Sequence, residues 1–218
     1  MNIAKYIDHT LLKSSATKKD IETLCKEAIA YNFYSVCVNS FYVPFVTQLL
    51  NTTAVKVCTT IGFPLGAVTT ETKVFETNKA IEQGAEEIDM VLNVGMLRSG
   101  DFEYVYNDIK AVKSGMGDTT LKVILEISEL TEQEIIKASE LCIKAKADFI
   151  KTSTGFSTSG ATLEAVKLMK ETANGQAKVK ASGGIRDLET TLAFIEAGAD
   201  RIGSSSGVAI VKAYNTKA

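Results

Sequence analysis

The chain alternates, from one end to the other, between segments with helical periodicity and short apolar segments typical of β-strands. This alternation restricts the fold more than any other feature. Apolar residues recur at helical spacing over 18–31, and the strand-like segment YSVCVNS follows. The same order continues along the 218 residues with no low-complexity linker. Strands separated by helices pair in parallel through right-handed crossovers. The sequence therefore predicts an α/β protein.

The pattern defines eight strands and the helices between them. The predicted strands are YIDHTLL, which is short, then YSVCVNS, VKVCTTIG, EIDMVLNVG, LKVILEIS, DFIKTST, VKASGG and RIGSSSG. Helices are predicted over 18–31, 69–83, 102–114, about 162–172 and about 188–197, and in two further segments. These are YVPFVTQLL, with Pro44 in its first turn, and LTEQEIIKASELCIKAKA, which opens with a capping box of Thr131 and Glu134.

Eight strands, each followed by roughly one helix, favour a closed (β/α)8 TIM barrel that forms a single domain over residues 1–218. The alternative is an open, doubly wound sheet, which normally has a GxGxxG turn after its first strand. The sequence has no such turn there. Three helix-to-strand junctions also share one pattern, an acidic residue just ahead of an apolar strand, in QGAEEIDMV, AKADFIK and AGADRIG.

Composition argues against several classes of protein. The 24 basic and 26 acidic residues give a net charge of −2, which provides no general field to attract nucleic acid or an anionic membrane. The N-terminus lacks the apolar core of a signal peptide, and no apolar run approaches the ~18 residues that span a bilayer. The four cysteines are scattered, which is typical of buried thiols in a reducing compartment, with a thiol nucleophile as the minor alternative. We expect a cytoplasmic protein.

Two lysines occupy corresponding positions in neighbouring predicted strands. Lys151 ends the sixth strand in ADFIKTSTGFS, and Lys180 ends the seventh in KVKASGGIRD, each before a loop of small residues. Catalytic groups of a TIM barrel lie at the carboxyl ends of its strands, so both lysines should meet at the mouth, with Asp89 of the fourth strand nearby. The alternative for any one of these charges is a paired structural ion.

Such a lysine pair suits covalent catalysis. Burial and a neighbouring ammonium both lower the pKa of a lysine, so one amine should titrate low. A free amine attacks a carbonyl to form a Schiff base, whose iminium withdraws electrons from the adjacent carbon. This is the chemistry of a class I aldolase, which needs no metal and no organic cofactor. Asp89 and the second lysine would then transfer protons.

The loops after the last three strands, STG, SGGIR and GSSSG, place small residues where backbone N–H groups can face a ligand. TIM barrels commonly bind phosphate at the loops after strands seven and eight, with a helix N-terminus. We therefore expect a phosphate group there. Arg186 either adds charge to this pocket or has a structural role beside the helix-capping Asp187.

Seven motifs, in order, resemble those of the deoxyribose-phosphate aldolases between residues 7 and 207. They are IDHTLLK, SVCVNS, CTTIGFPLG, EIDMVLNVG, DFIKTSTGF, VKASGGIRD and RIGSSSG. The resemblance implies a TIM barrel that reversibly cleaves 2-deoxy-D-ribose 5-phosphate to acetaldehyde and D-glyceraldehyde 3-phosphate, in deoxyribose catabolism.

By motif, the resemblance also implies roles for individual residues. Lys151 would form the Schiff base, and Lys180 and Asp89 would handle protons. The remaining implied substrate or phosphate contacts are Asp8, Cys37, Gly155, Gly183, Gly184, Gly203, Ser204 and Ser205. A sugar phosphate is then the expected partner, and homo-oligomer formation stays open.

Three departures from the family pattern stand out. TGFSTSGAT has Ser and Thr where the family often has Gly and Pro, and Ser128 is a small packing change. Tyr214 could reach the site, although the family's tyrosine is C-terminal and this one is not the last residue.

Two other functions compete with this one. Another Schiff-base aldolase or a transaldolase would share the iminium chemistry, and a non-catalytic sugar-phosphate sensor would need only the phosphate loops. The single histidine, His9, is expected to be a hydrogen-bonded strand residue rather than a catalytic base.

Overall fold

The computed structural model describes residues 1–217, which fold into a closed barrel of eight parallel strands. Each strand pairs with the next one along the chain, and β1 pairs with β8 to close the barrel. The strands are β1 (Ile7–Leu11), β2 (Ser35–Asn39), β3 (Lys56–Ile61), β4 (Glu87–Val91), β5 (Thr120–Ile124), β6 (Phe149–Lys151), β7 (Lys178–Ser182) and β8 (Arg201–Ser204). This topology confirms the (β/α)8 barrel expected from the alternation of elements.

Helices connect the strands. They are α1 (Lys18–Ala30), α2 (Val43–Leu50), α3 (Thr70–Glu82), α4 (Val94–Arg98), α5 (Phe102–Ser114), α6 (Glu132–Lys144), α7 (Leu163–Ala173), α8 (Leu188–Glu196) and α9 (Gly207–Lys217). Short 3-10 helices occupy Ile3–Tyr6, Ser40–Tyr42 and Ile127–Glu129. No helix among residues 1–217 is both long and apolar enough to span a membrane.

The alternation of side chains along each strand separates two kinds of interior. In β4, Ile88 and Met90 are fully buried in an apolar cluster that combines strand and helix residues. Glu87 and Asp89 point to the other side, into the barrel, where they meet charged residues of other strands. Because strand side chains alternate between faces, one short sequence supplies both the packing layer and the barrel lining.

The repeated acid at three helix-to-strand junctions has a structural role. In each case a carboxylate oxygen accepts a hydrogen bond from a backbone N–H of a neighbouring strand. The pairs are Glu86 with Val57 (3.1 Å), Asp148 with Leu121 (2.8 Å) and Asp200 with Val179 (2.8 Å). Each acid also binds a lysine, namely Lys56, Lys113 and Lys170. The repeat therefore joins adjacent strands at the amino-terminal end of the barrel.

Several local predictions are confirmed, and two need correction. Thr131 and Glu134 form the expected capping box at the start of α6. The fourth strand ends at Val91 rather than running through EIDMVLNVG, because Asn93 caps the short helix α4. Lys180 is the middle residue of β7, not its last, since β7 continues to Ser182 in order to pair with Gly203 of β8.

Candidate active site

Lys151, Lys180 and Asp89 meet inside the barrel. Both lysines donate hydrogen bonds to the same carboxylate oxygen, Oδ2 of Asp89, and both N–O distances are 2.7 Å. Lys151 and Lys180 are also register partners on β6 and β7. All three side chains are buried, with exposed fractions of 3% for Lys151 and 0% for the other two residues. The structure thus brings together the three residues that the sequence singled out.

Lys180 and Asp89 belong to a larger ring of alternating charges, and Lys151 contacts this ring through Asp89. Starting from Asp89, the ring passes through Lys122, Glu87, Arg201, Asp8 and Lys180 and returns to Asp89. The ion pairs are Asp89–Lys122 (3.0 Å), Lys122–Glu87 (2.6 Å), Glu87–Arg201 (3.0 Å), Arg201–Asp8, Asp8–Lys180 (2.6 Å) and Lys180–Asp89 (2.7 Å). Arg201 also stacks on Tyr34, with its guanidinium carbon 3.4 Å from the ring centroid.

The ring fixes the charge states of its members. Burial on its own would raise the pKa of Asp89, but Lys122, Lys151 and Lys180 outweigh it and hold that pKa well below its ordinary value. Burial on its own would lower the pKa of Lys180, yet the carboxylates of Asp8 and Asp89 outweigh it and raise that pKa. The lowered lysine pKa expected from the sequence is therefore not a property of Lys180. Lys180 stays charged.

A cavity of about 390 Å³ opens above this network at the carboxyl ends of the strands. Lys151 lines it, whereas Lys180 and Asp89 lie beneath. The predicted phosphate-loop residues line it as well: Gly155, Gly183, Gly184, Gly203, Ser204 and Ser205. Arg186 is also at its wall. One cavity thus contains the strand-end lysine and the three loops that the sequence paired with it.

Two glycines let the backbone come close around this cavity. Gly183 has φ of +94°, and a Cβ there would lie 2.8 Å from Cα of Gly160. At Gly203, a Cβ would lie 2.9 Å from Cβ of Ser182 and 3.1 Å from Cε of Lys180. Larger residues would strain the first loop and displace Lys180 at the second.

The hydroxyls of the GSSSG segment have different partners. Ser204 donates to the carbonyl of Ile185 at 2.7 Å and accepts from the amide of Ser206. Its hydroxyl is therefore engaged in holding the loop. Ser205 is exposed and lines the cavity. Ser205 is thus the hydroxyl available to a ligand in this cavity, two residues before α9 begins.

Other residues proposed from the sequence lie elsewhere. Asp8 and Cys37 are fully buried and do not line the mouth cavity, and Asp8 is a member of the charge ring. His9 lies 2.7 Å from Glu27 and packs on Phe33, which agrees with a structural role. The Tyr214 hydroxyl donates to the Met1 carbonyl at 3.0 Å. Tyr214 is therefore turned toward the N-terminus rather than toward the mouth.

Sequence reasoning missed three members of the ring: Lys122, Glu87 and Arg201. All three lie on strands, and each has an exposed fraction below 5%. The same signal that flagged Lys180, a charge within an apolar strand, was present in TLKVILE and in DRIG. A charged residue inside an apolar strand predicts a buried partner of opposite charge. Which residue is the partner depends on the register of strands that are distant in sequence.

Glu126 is a further residue that the sequence did not single out. It follows β5 with φ of +59°, and its carboxylate accepts hydrogen bonds from the hydroxyl and the amide of Thr154. Burial raises the pKa of Glu126. Because Thr154 lines the mouth cavity three residues after Lys151, this contact fixes the start of the loop that follows β6.

Comparison with known proteins identifies relatives over nearly the whole chain. Residues 2–213 match the DeoC/LacD family of aldolases. A deoxyribose-phosphate aldolase of Brevibacillus brevis is 58% identical over 216 residues, covering 99% of this chain and 98% of that protein. A deoxyribose-phosphate aldolase of Finegoldia magna is 56% identical, with coverage of 97% and 100%.

A solved structure agrees with these matches. The deoxyribose phosphate aldolase from Aeropyrum pernix, described as a tetramer, superposes with a TM-score of 0.92 at 33% identity. The match covers 99% of this chain and 92% of that one. The resemblance noted in the sequence motifs is confirmed at the level of the whole chain.

Proposed function

The chain belongs to the DeoC/LacD family of aldolases, and from this premise we propose that it cleaves 2-deoxy-D-ribose 5-phosphate reversibly to acetaldehyde and D-glyceraldehyde 3-phosphate. The reaction would serve deoxyribose catabolism. Two relatives that this chain matches over nearly their full length are named deoxyribose-phosphate aldolase. The observation that carries the proposal is a buried lysine at the floor of a cavity whose rim is made of phosphate-type loops.

In this proposal Lys151 is the nucleophile. Of the three lysines around Asp89, Lys151 lines the cavity, whereas Lys122 and Lys180 do not. Its amine attacks C1 of the open-chain sugar, and loss of water gives the iminium. The C2–C3 bond then breaks as the C3 hydroxyl loses its proton. The bonding electrons move toward the iminium nitrogen to form the enamine of acetaldehyde.

Asp89 and Lys180 move protons in the same proposal. Asp89 Oδ2 contacts both Lys151 and Lys180, so one oxygen bridges the nucleophile and a second proton carrier. Lys180 remains an ammonium because Asp8 and Asp89 flank it. A proton can pass along this short path while the carbinolamine forms and the enamine is protonated.

The phosphate binds at the loops after β7 and β8. Gly183 and Gly184 follow β7, and Ser205 precedes α9, whose free backbone N–H groups favour an anion. Arg186 adds a guanidinium at the same cavity wall. With a net charge of only −2 and no general basic field, the protein depends on this local site to hold the anion.

The setting of the enzyme is part of the proposal. Four free, buried cysteines fit a reducing, cytoplasmic compartment.

Two exposed aromatic side chains support a homo-oligomer. Phe41 and Phe75 are 79% and 72% exposed, and the segments that carry them are joined by a Ser40–Glu76 hydrogen bond of 2.8 Å. The tetramer of the Aeropyrum pernix relative points in the same direction. Sedimentation of the protein with and without Phe75→Ser tests this assembly.

Borohydride trapping tests the catalytic proposal directly. Incubation with acetaldehyde and borohydride should leave a stable ethyl group on the Lys151 amine, located by peptide mapping. An adduct confined to Lys180, or none with an active enzyme, would contradict the assignment.

The same experiment separates the competing functions. A sugar-phosphate sensor would bind 2-deoxyribose 5-phosphate but would neither cleave it nor trap acetaldehyde. Another Schiff-base aldolase or a transaldolase would trap a different carbonyl fragment, such as dihydroxyacetone, more efficiently than acetaldehyde.

A further inference from the structure

Cys37 and Cys58 face each other inside the barrel beside Asp89. They are register partners on the parallel strands β2 and β3, and both are fully buried. Their sulfur atoms and one carboxylate oxygen of Asp89 all lie within 4.8 Å of one another. Neither thiol takes part in the mechanism proposed above. The pair is therefore a set of reactive groups that the aldolase reaction does not use.

We propose that Cys37 and Cys58 form a reversible disulfide on exposure to a hydroperoxide, and that this modification lowers the activity of the enzyme. The backbone geometry suits the bond. A disulfide needs Cα atoms about 4.4–6.8 Å apart, and neighbouring strands lie about 4.7–4.9 Å apart. Both side chains already point into the barrel, so side-chain rotation is the main movement required.

The two thiols differ in reactivity. The side-chain hydrogen bond with Cys58 lowers the pKa of Cys37 and outweighs burial and the Asp89 carboxylate, which both raise it. Burial holds the pKa of Cys58 well above its ordinary value. Because the thiolate is the nucleophile, Cys37 is the thiol that attacks first, and Cys58 resolves the product.

The chemistry balances with one hydroperoxide. The Cys37 thiolate attacks one peroxide oxygen, the O–O bond breaks, and Cys37 sulfenic acid and hydroxide form. The Cys58 thiol then attacks the sulfenic sulfur of Cys37, the S–S bond forms, and the sulfenic oxygen leaves as water. Overall, two thiols lose two hydrogen atoms and hydrogen peroxide becomes two molecules of water.

A metal ion is the competing ligand for this cluster of two thiols and a carboxylate. The surrounding charges oppose it. Lys151 and Lys180 each lie 2.7 Å from Asp89, and Lys122 lies 3.0 Å from Asp89 and 3.6 Å from the Cys58 sulfur. A cation would have to displace these ammoniums from the carboxylate, whereas a neutral disulfide would not.

The disulfide would change the environment of Asp89. The single hydrogen of the Cys58 thiol can be donated either to Cys37 or to Asp89 Oδ1, 3.2 Å away, and this donor is lost when the sulfur is oxidised. The new bond also fixes β2 to β3 beneath the mouth. This consequence for activity rests on the proposed role of Asp89, whereas formation of the disulfide does not.

A small oxidant has a short route to the pair. Leu12 and Phe63 pack on the two cysteines as a small apolar cluster, and Leu12 also lines the mouth cavity. Leu12 is therefore shared between the cysteine cluster and the cavity wall. A ligand in the mouth should close this route, so 2-deoxyribose 5-phosphate should slow the oxidation.

The test treats the full-length protein with hydrogen peroxide, blocks the remaining thiols by alkylation, and maps disulfides by mass spectrometry. We expect a linked pair of peptides containing Cys37 and Cys58, with Cys25 and Cys142 still alkylated. Cleavage of 2-deoxyribose 5-phosphate should fall several-fold in parallel and recover after addition of a thiol reductant.

Variants sharpen this result. Cys37→Ser and Cys58→Ser should each abolish the linked peptides and the recovery by reductant, whereas Cys142→Ala, which changes a thiol outside the pair, should preserve both. Linkage through Cys25 or Cys142, sulfinic acid without a disulfide, or a Cys37–Cys58 disulfide with full activity would overturn the proposal. The mapping remains interpretable even if borohydride trapping fails at Lys151, so the two proposals can fail separately.

Discussion

Lys151 and Lys180 share a single oxygen, Oδ2 of Asp89, at equal distances of 2.7 Å. The two ammoniums are not equivalent, however. Lys180 is also 2.6 Å from Asp8, whereas the carboxylate that pairs with Lys151 is Asp89. Among the described residues, Lys151 thus pairs with one carboxylate and Lys180 with two. In the mechanism that we propose, this asymmetry assigns attack on the carbonyl to Lys151 and proton transfer to Lys180.

Asp89→Asn should separate proton transfer from folding. We expect kcat to fall by about 10²–10⁴, the usual effect of losing a positioned acid or base, with substrate binding retained. The variant should also be less stable by about 3–5 kcal/mol, because three ammoniums lose a buried carboxylate. Steady-state kinetics and urea unfolding measure the two effects.

Asp108→Asn is the matched control for that variant. Asp108 is buried and binds Lys73 at 2.6 Å, in an ion pair between α5 and α3 outside the charge ring. Its loss should destabilise the fold by a similar amount while leaving kcat unchanged. If both variants lost activity equally, the effect of Asp89→Asn would be one of stability and not of catalysis.

Lys180→Leu should move the pH dependence of imine formation. This change removes a positive charge that shares Asp89 Oδ2 with Lys151, so imine formation should need a higher pH. We therefore expect the pH profile of borohydride trapping to shift upward, together with a loss of about 10²-fold in kcat. An unchanged profile with near-normal turnover would remove Lys180 from the mechanism.

The candidate site was predictable in part, for physical reasons. Lys151, Lys180 and Asp89 could be placed together because the order of strands in a barrel follows the order of the sequence. The ring could not, because it requires contacts such as Arg201 with Asp8, 193 residues apart, whose geometry depends on barrel closure and register. Tyr214 illustrates the same limit, since the packing of α9 on the N-terminal segment sets its direction.

Stability should fall in acid because of the buried carboxylates. The pKa values of Asp8 and Asp89 lie below the ordinary value of 3.8 in the folded state, in each case because cationic neighbours outweigh burial. The unfolded chain therefore binds more protons below that value. The stabilisation is complete above about pH 4 and is lost as the pH falls further.

Thermal unfolding measured from pH 7 down to pH 3 checks this expectation. The melting temperature should hold near neutrality and drop below about pH 4. Asp8→Asn should start from a lower melting temperature and show a shallower drop, because one of the two linked groups is gone. An equally steep acid transition in this variant would assign the effect to other carboxylates.

Ser205→Asp should discriminate between phosphorylated and unphosphorylated substrates. Ser205 is exposed and lines the cavity before α9, while the Ser204 hydroxyl is already bound to Ile185. In the phosphate site that we propose, a carboxylate at Ser205 would repel the phosphate, so KM for 2-deoxyribose 5-phosphate should rise steeply. Turnover of 2-deoxyribose should hardly change, because that sugar does not use the loop.

Thr52→Asp is the control that adds the same charge away from the cavity. Thr52 is exposed in the turn between α2 and β3, at the amino-terminal end of the barrel, and does not line the cavity. Its carboxylate should leave KM for both sugars nearly unchanged. If Ser205→Asp impaired both substrates equally, the damage would lie in the fold or the lysine site. The assignment of Gly203, Ser204 and Ser205 to phosphate would then be wrong.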